Sequence, residues 1–135
     1  MVDLSIVIPS RNEIFLSKTI ENILENIDGN TDIIAVCDGY WPNPPIKDNA
    51  RVNLIHFSES IGQRAATNAA VNISKAKYIM KVDAHCAFDK GFDTKLLSVM
   101  NDDIALVPTM RNLHAFDWVC ENGHRRYQGR SIYRD

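Results

Sequence analysis

The stretch from residue 78 to residue 85, YIMKVDAH, decides the fold that this sequence predicts. Its apolar part predicts a buried strand, and its end carries a carboxylate, Asp83, and an imidazole, His85. Residues i and i+2 of an extended chain point to the same side, so both groups are expected to face one point just past the strand. Open α/β sheets bind ligands at that end, and an oxygen with a nitrogen ligand suits a divalent metal. A surface turn with two unrelated polar residues is the alternative, because short motifs match by chance.

Outward from this stretch, apolar runs alternate with helical patterns. Spacings of three and four between apolar residues predict helices, and short apolar runs predict strands. The order β-α-β-β-α-β-α-β, with continuous apolar strands, predicts an α/β fold: a mostly parallel sheet with helices on both faces. The predicted strands are residues 4–9, 33–37, 52–57, 77–82 and 104–108, and the predicted helices are residues 16–27, 61–73 and 92–100.

Length and composition indicate an ordinary globular protein. A chain of 135 residues predicts one domain, and 45% apolar with 24% charged residues is typical of soluble proteins. A net charge of −2 gives no reason to expect a nucleic-acid partner. Residues 1–110 carry 10 basic and 14 acidic side chains, a net of −4, whereas residues 111–135 carry 5 and 3, a net of +2. The apolar pattern also fades after Pro108, so we divide the chain into a regular part, residues 1–110, and an irregular C-terminal segment, residues 111–135.

The spacing of the cysteines and the length of the apolar stretches indicate the cellular compartment. No stretch approaches the roughly 18 apolar residues that span a membrane, and the N-terminus lacks the basic region of a signal peptide. Three cysteines without framework spacing favour reduced thiols, and hence a cytoplasmic protein: Cys37, Cys86 and Cys120.

Polar residues cluster where the predicted strands end. The clusters are residues 9–13 (PSRNE), Asp38 with Gly39, and Asp83 with His85, and parallel strands bring such ends to one edge. Gly62 and Arg64 open the second helix, whose N-terminal N–H groups and arginine suit a phosphate. Each cluster taken alone has a simpler interpretation as a helix cap, a turn or a solvated helix residue.

These motifs, in this order, resemble those of family-2 glycosyltransferases, which have the GT-A fold. Residues 5–13 (SIVIPSRNE) are similar to the family's opening strand and loop, and residues 62–70 (GQRAATNAA) resemble its G-x-x-x-A-x-N helix. Asp83 and His85 stand where the family carries a D-x-D metal motif, and a histidine followed by cysteine is similar to the polypeptide N-acetylgalactosaminyltransferases. The resemblance covers roughly residues 3–110.

The resemblance implies a role for each matching residue. Pro9, Arg11 and Glu13 would line a nucleotide pocket. Asp38 would bind the base, uracil by analogy, and Arg64 with Gly62 at the helix start would lie near the base or diphosphate. Asp83 and His85 would hold Mn²⁺ or Mg²⁺ against the diphosphate of a UDP-sugar. The implied reaction is transfer of a hexosyl or N-acetylhexosaminyl group to an unknown glycan, protein or lipid acceptor.

The C-terminal segment departs from the family pattern. Inverting members place a catalytic carboxylate in their acceptor half, and neither Asp117 nor Glu121 matches a motif, so the catalytic base is unassigned. The sequence therefore predicts a donor-binding half, whose uncovered apolar surface would favour self-association. Cys120 and His124 could form half of a zinc site, but no second ligand pair follows.

Three other functions remain open at this stage. A nucleotide-sugar-binding module without catalysis would keep the donor site, and a structural partner subunit would use the strand ends only as turns. A nucleotidyltransferase would need a glycine-rich loop after the first strand, and residues 10–13 (SRNE) contain no glycine.

Overall fold

The computed structural model describes residues 2–111, 117–119, 122 and 125–127. It divides the chain into two compact units, Met1–Ile104 and Ala105–Asp135. The first unit contains β1 Leu4–Ser10, α1 Leu16–Asn26, β2 Thr31–Asp38, β3 Val52–Phe57, α2 Gln63–Ile73, β4 Tyr78–Lys81 and α3 Phe92–Leu97. The second unit contains two described strands, β5 Asp117–Val119 and β6 Arg125–Tyr127, which pair antiparallel.

A four-stranded sheet in the order β3-β2-β1-β4 organises the first unit. All three of its strand pairings are parallel. Every residue of β1 is buried, because this apolar strand lies between β2 and β4. The parallel sheet expected from the strand and helix pattern is therefore confirmed.

Two apolar cores cover the opposite faces of the sheet, as the α/β prediction requires. Alternate residues of β1, including Ile6 and Ile8, pack with α1 and Phe92 on one face. Val7 packs on the other face with Ala66 and Ala70 of α2, both fully buried. Since the small side chains of α2 let it lie close to the sheet, the small-residue stripe in residues 61–73 is explained by packing.

Two predicted strands differ from the structure. Residues 104–108 form no strand in the described part, and Ile104 and Val107 expose 40% and 86% of their surface. The stretch at 78–85 forms a strand only over Tyr78–Lys81, with Ile79 41% exposed. Apolar content alone predicted burial at both places, but β4 has a neighbour on one side only among the described strands. Self-association through such exposed apolar groups stays a prediction.

The carboxylate of Asp93, fully buried at the start of α3, fastens that helix to the loop between α1 and β2. It accepts hydrogen bonds from the backbone N–H groups of Asp28 and Gly29 at 2.9 Å each, and from the Thr31 hydroxyl at 2.6 Å. Burial works to raise the pKa of Asp93, but these hydrogen bonds outweigh it and hold the pKa below its ordinary value. A charged carboxylate that accepts these hydrogen bonds therefore acts together with the apolar packing of Phe92 to hold α3 in place.

No helix among the described residues is long and apolar enough to cross a membrane. Cys37 and Cys86 are both free thiols, and burial raises the pKa of each.

Candidate functional site

The carboxyl end of β2 is tied to the start of α2 by Asp38. This buried carboxylate accepts hydrogen bonds from the N–H of Ile61 at 2.8 Å, the hydroxyl of Ser60 at 2.9 Å and the N–H of Gly62 at 3.0 Å. Since a carboxylate offers about four lone-pair sites, these bonds leave room for about one more. The structure therefore gives Asp38 a positioning function, in which it holds the loop that starts α2.

The charge of Asp38 is maintained by the same contacts. Burial works to raise its pKa, but the N–H of Ile61, the hydroxyl of Ser60 and the N–H of Gly62 lower it, with a further contribution from the positive charge of Arg11. The net pKa of Asp38 lies below its ordinary value. The carboxylate of Asp38 therefore brings negative charge to the residues just before α2, a helix whose first turn has neither an acidic residue nor a capping side-chain hydrogen bond.

Two glycines shape this loop for different reasons. Gly39 has φ +81°, and a Cβ there would lie 2.8 Å from the backbone nitrogen of Ser60. Gly62 has φ +93° and ψ 157°, a conformation that other residues avoid, but a Cβ there would meet no atom within 4 Å. The first position therefore combines strain with a backbone collision, and the second has strain alone.

We expect Gly62→Ala to lower the free energy of unfolding by about 2 kcal/mol, the cost of a strained residue. Gly39→Ala is expected to cost about 1–2 kcal/mol more, because the loop must also move away from the new methyl group. Urea unfolding of both variants measures the difference. Equal losses would contradict the collision at Gly39.

The segment that follows β4 bends away from the extended path that the sequence suggested. The strand ends at Lys81, and bends occur at Ala84 and His85. The hydroxyl of Thr19, a buried residue of α1, donates to the carbonyl oxygen of Ala84 at 2.8 Å and accepts from the N–H of Cys86 at 3.2 Å. Thr19 therefore fixes the backbone on both sides of His85.

The imidazole of His85 contacts the loop that follows β1. Its Nδ1 atom lies 3.1 Å from Oε2 of Glu13, and the other carboxylate oxygen of Glu13 accepts the N–H of Phe15 at 3.2 Å. The Glu13 side chain is 20% exposed and that of His85 is 61% exposed. The ends of the adjacent strands β1 and β4 are thus brought together, as parallel pairing predicted.

Asp83 has a different partner. Its Oδ1 atom lies 3.6 Å from the ammonium nitrogen of Lys81, and both side chains are about half exposed, at 45%. An exposed pair of this kind contributes about 0–1 kcal/mol, so a competing cation can displace it. Asp83 and His85 therefore stay open to other ligands, although the i and i+2 geometry does not apply past the bend.

The donor atoms at this edge fit a divalent metal that also binds a ligand. In the part of the chain that the structure describes, no three His, Cys, Asp or Glu side chains are close enough to hold a metal by themselves. Mg²⁺ in nucleotide sites is commonly held by one or two carboxylates together with phosphate oxygens and waters. The carboxylate of Asp83 and the free Nε2 of His85 suit such a shared site better than a closed protein cage.

A shallow, open groove of about 500 Å³ lies beside Lys81 at this edge. It is lined by Lys81 of β4 and by residues of α2: Gln63, Arg64, Thr67 and Asn68. Two cationic side chains and the uncapped first turn of α2 suit an anion. Sequence reasoning proposed Arg64 but missed Lys81, because a lysine inside a predicted buried strand gave no functional signal.

The remaining candidates are placed as follows. Pro9 is buried in β1, whereas Arg11 is exposed near Asp38. Trp41 is 72% exposed and stacks on His56, with ring centroids 3.6 Å apart, so the imidazole of His56 is packed against an aromatic ring. Cys120, Glu121 and His124 lie outside the described residues, so the zinc hypothesis stays untested.

Comparison with known proteins gives two matches and one absence. The family model "Glycosyl transferase family 2" matches residues 5–126. The crystal structure of S. aureus TarS 1-349 is similar in fold, with a TM-score of 0.58 and 10% sequence identity, over 86% of this chain. The chain spans 40% of the length of that structure. No curated protein matches the sequence.

Proposed function

The chain belongs to glycosyl transferase family 2, and from this premise we propose that it binds a nucleoside-diphosphate sugar through a divalent metal and transfers the sugar. The donor is proposed to be a UDP-sugar and the metal Mn²⁺ or Mg²⁺. The acceptor is a glycan, protein or lipid hydroxyl.

One observation carries the proposal beyond family membership. Two side chains that can bind a metal, the carboxylate of Asp83 and the imidazole of His85, follow β4 at the carboxyl end of the parallel sheet. Lys81 of the same strand lines the groove together with Arg64. A metal–diphosphate complex carries both a cation and excess negative charge. The carboxylate and the imidazole suit the metal cation, and the two basic side chains suit the negatively charged diphosphate.

Some residues at this edge of the sheet would bind the metal and the diphosphate, and Asp38 would hold the start of α2 in position. Asp83 and His85 would hold the metal, which when bound supplies Lewis-acid stabilisation of the diphosphate leaving group. Arg64 and Lys81 would bind phosphate oxygens and add positive charge where negative charge develops. Asp38 would keep the α2 N-terminus in place and use its remaining lone pair toward the base. A general base for the acceptor hydroxyl is not assigned to any described residue.

Calorimetric titration of UDP into the protein, with Mn²⁺ and again with a chelator, tests the proposal. We expect binding with Mn²⁺ that weakens at least tenfold in chelator, because the metal joins the diphosphate to Asp83 and His85. Absence of binding in both conditions would contradict the proposal and favour a structural subunit. UDP binding without release of UDP from any UDP-sugar would favour the binding module without catalysis.

A further inference from the structure

The contact between Glu13 and His85 defines which ring nitrogen of His85 is free. An ionised carboxylate has no proton to donate, so the hydrogen between Oε2 of Glu13 and Nδ1 of His85, 3.1 Å apart, must belong to the imidazole. A neutral imidazole carries one N–H only. When Nδ1 holds that hydrogen, Nε2 presents its lone pair outward.

Glu13 is itself fixed, which makes it able to orient another group. Its second oxygen accepts the N–H of Phe15, the residue just before α1, and its side chain is 80% buried. His85, by contrast, is largely exposed at its ring. An exposed ring would rotate freely if its Nδ1 had no partner, so the direction of Nε2 depends on Glu13.

The backbone that carries His85 is held independently. The hydroxyl of Thr19 bridges the carbonyl of Ala84 and the N–H of Cys86, one residue on either side of His85. The Cα of His85 is therefore placed by α1, and its ring by the loop after β1. Two separate elements determine the position of one nitrogen atom.

We propose that Glu13 is a positioning residue that fixes the tautomer and ring orientation of His85, so that Nε2 is the atom offered to a divalent metal. This inference rests on the proposed function, and it differs from the role in lining a nucleotide pocket that the family resemblance implies for Glu13. Histidines that bind metals commonly donate their other ring N–H to a carboxylate, and loss of that partner costs about 10–100-fold in metal affinity.

The first test needs neither metal nor activity. Imidazole ¹⁵N spectra of the metal-free protein at about pH 8, where histidine side chains are ordinarily neutral, report the tautomer. The His85 signals are assigned by their absence from His85→Asn. We expect the Nδ1–H form in the wild type and a shift toward the Nε2–H form in Glu13→Gln. When the amide oxygen of Gln accepts the N–H of Phe15, its NH2 group faces Nδ1 of His85 and donates to it. A wild-type His85 that is mainly Nε2–H would overturn the proposal.

The second test measures Mn²⁺ affinity with Mn²⁺ alone and in the presence of UDP, whose phosphate oxygens would complete a shared site. Glu13→Gln is expected to bind Mn²⁺ about 10–100-fold more weakly. Glu21→Gln is the matched control, because Glu21 is a half-exposed carboxylate of α1 that pairs with the exposed Lys47, and this variant should bind Mn²⁺ as the wild type does. Thermal unfolding of both variants shows whether the fold is kept.

The outcomes separate this inference from the proposed function. Wild-type affinity in Glu13→Gln, with Mn²⁺-dependent UDP binding intact, would overturn the role of Glu13 and leave the donor site standing. A wild type that binds neither Mn²⁺ nor UDP would overturn both. Loss of Mn²⁺ affinity in Glu13→Gln, together with the tautomer shift, supports the positioning role over a purely structural one.

Discussion

Asp93→Asn is expected to lower the free energy of unfolding by about 3 kcal/mol, a large part of the roughly 5–15 kcal/mol typical of a domain. The substitution keeps the shape but replaces one acceptor oxygen by an amide donor. That donor then faces hydrogen-bond donors at Asp28, Gly29 or Thr31, all held within 2.9 Å of the carboxylate. Thermal unfolding should show a midpoint lower by about 10 °C.

Asp89→Asn is the matched control for this prediction. It makes the same chemical change four positions earlier, at an exposed carboxylate that is bound by the ammonium group of Lys95 and the backbone N–H of Lys90. We expect its unfolding midpoint to equal that of the wild type. Similar midpoints for the two variants would show that the hydrogen bonds of Asp93 do not stabilise the corner between α1, β2 and α3.

The contribution of Asp93 also has a definite pH dependence. Because its folded pKa lies below the ordinary value of 3.8, the unfolded chain binds more protons in the interval between the two pKa values, and stability rises with pH there. The stabilisation is complete above about pH 4 and is lost as the pH falls through the folded pKa. The difference in unfolding free energy between wild type and Asp93→Asn should therefore shrink below about pH 4.

The sheet and both of its faces could be predicted from sequence because apolar periodicity is local. The predicted strand 52–57 and the predicted helix 16–27 each agree with the structure within one residue at both ends. The small residues of α2 correctly indicated close packing on the sheet. Residues 104–108 carry an equally apolar run but form no described strand. A run of this kind becomes a strand only if a neighbour pairs with it, and pairing is a property of the whole fold.

The candidate site was predictable in its location but only partly in its members. Strand ends converge in any parallel sheet, so the location of Glu13, Asp38 and His85 at this edge could be predicted by position alone, whereas their roles stay predictions. Their partners depend on distant residues: Thr19 lies 65 residues before Ala84, and Glu13 lies 72 residues before His85. A threonine inside a helix or a lysine inside a strand has no local pattern that marks it, which is why Thr19 and Lys81 were missed.

Asp83→Ala is expected to remove the Mn²⁺-dependent part of UDP affinity, a loss of at least about tenfold, since even the partners of metal ligands cost about 10–100-fold. Affinity measured in chelator should stay as in the wild type. The fold should also be unaffected, because Asp83 is half exposed and its pair with Lys81 is worth about 0–1 kcal/mol. Calorimetric titration of UDP with Mn²⁺ and with chelator measures the first two expectations, and thermal unfolding measures the third.

Lys81→Ala and Asp89→Ala separate metal binding from general charge effects. Lys81→Ala breaks the same ion pair but leaves the carboxylate, so Mn²⁺ alone should bind as tightly as in the wild type or more tightly, because a competing cation is gone. Asp89→Ala changes the net charge as Asp83→Ala does, at an exposed carboxylate paired with Lys95, and should leave both affinities unchanged. If Asp83→Ala bound UDP and Mn²⁺ as the wild type does, the polar residues at the strand ends would only form turns. The hypothesis of a structural subunit would then replace that of a donor site.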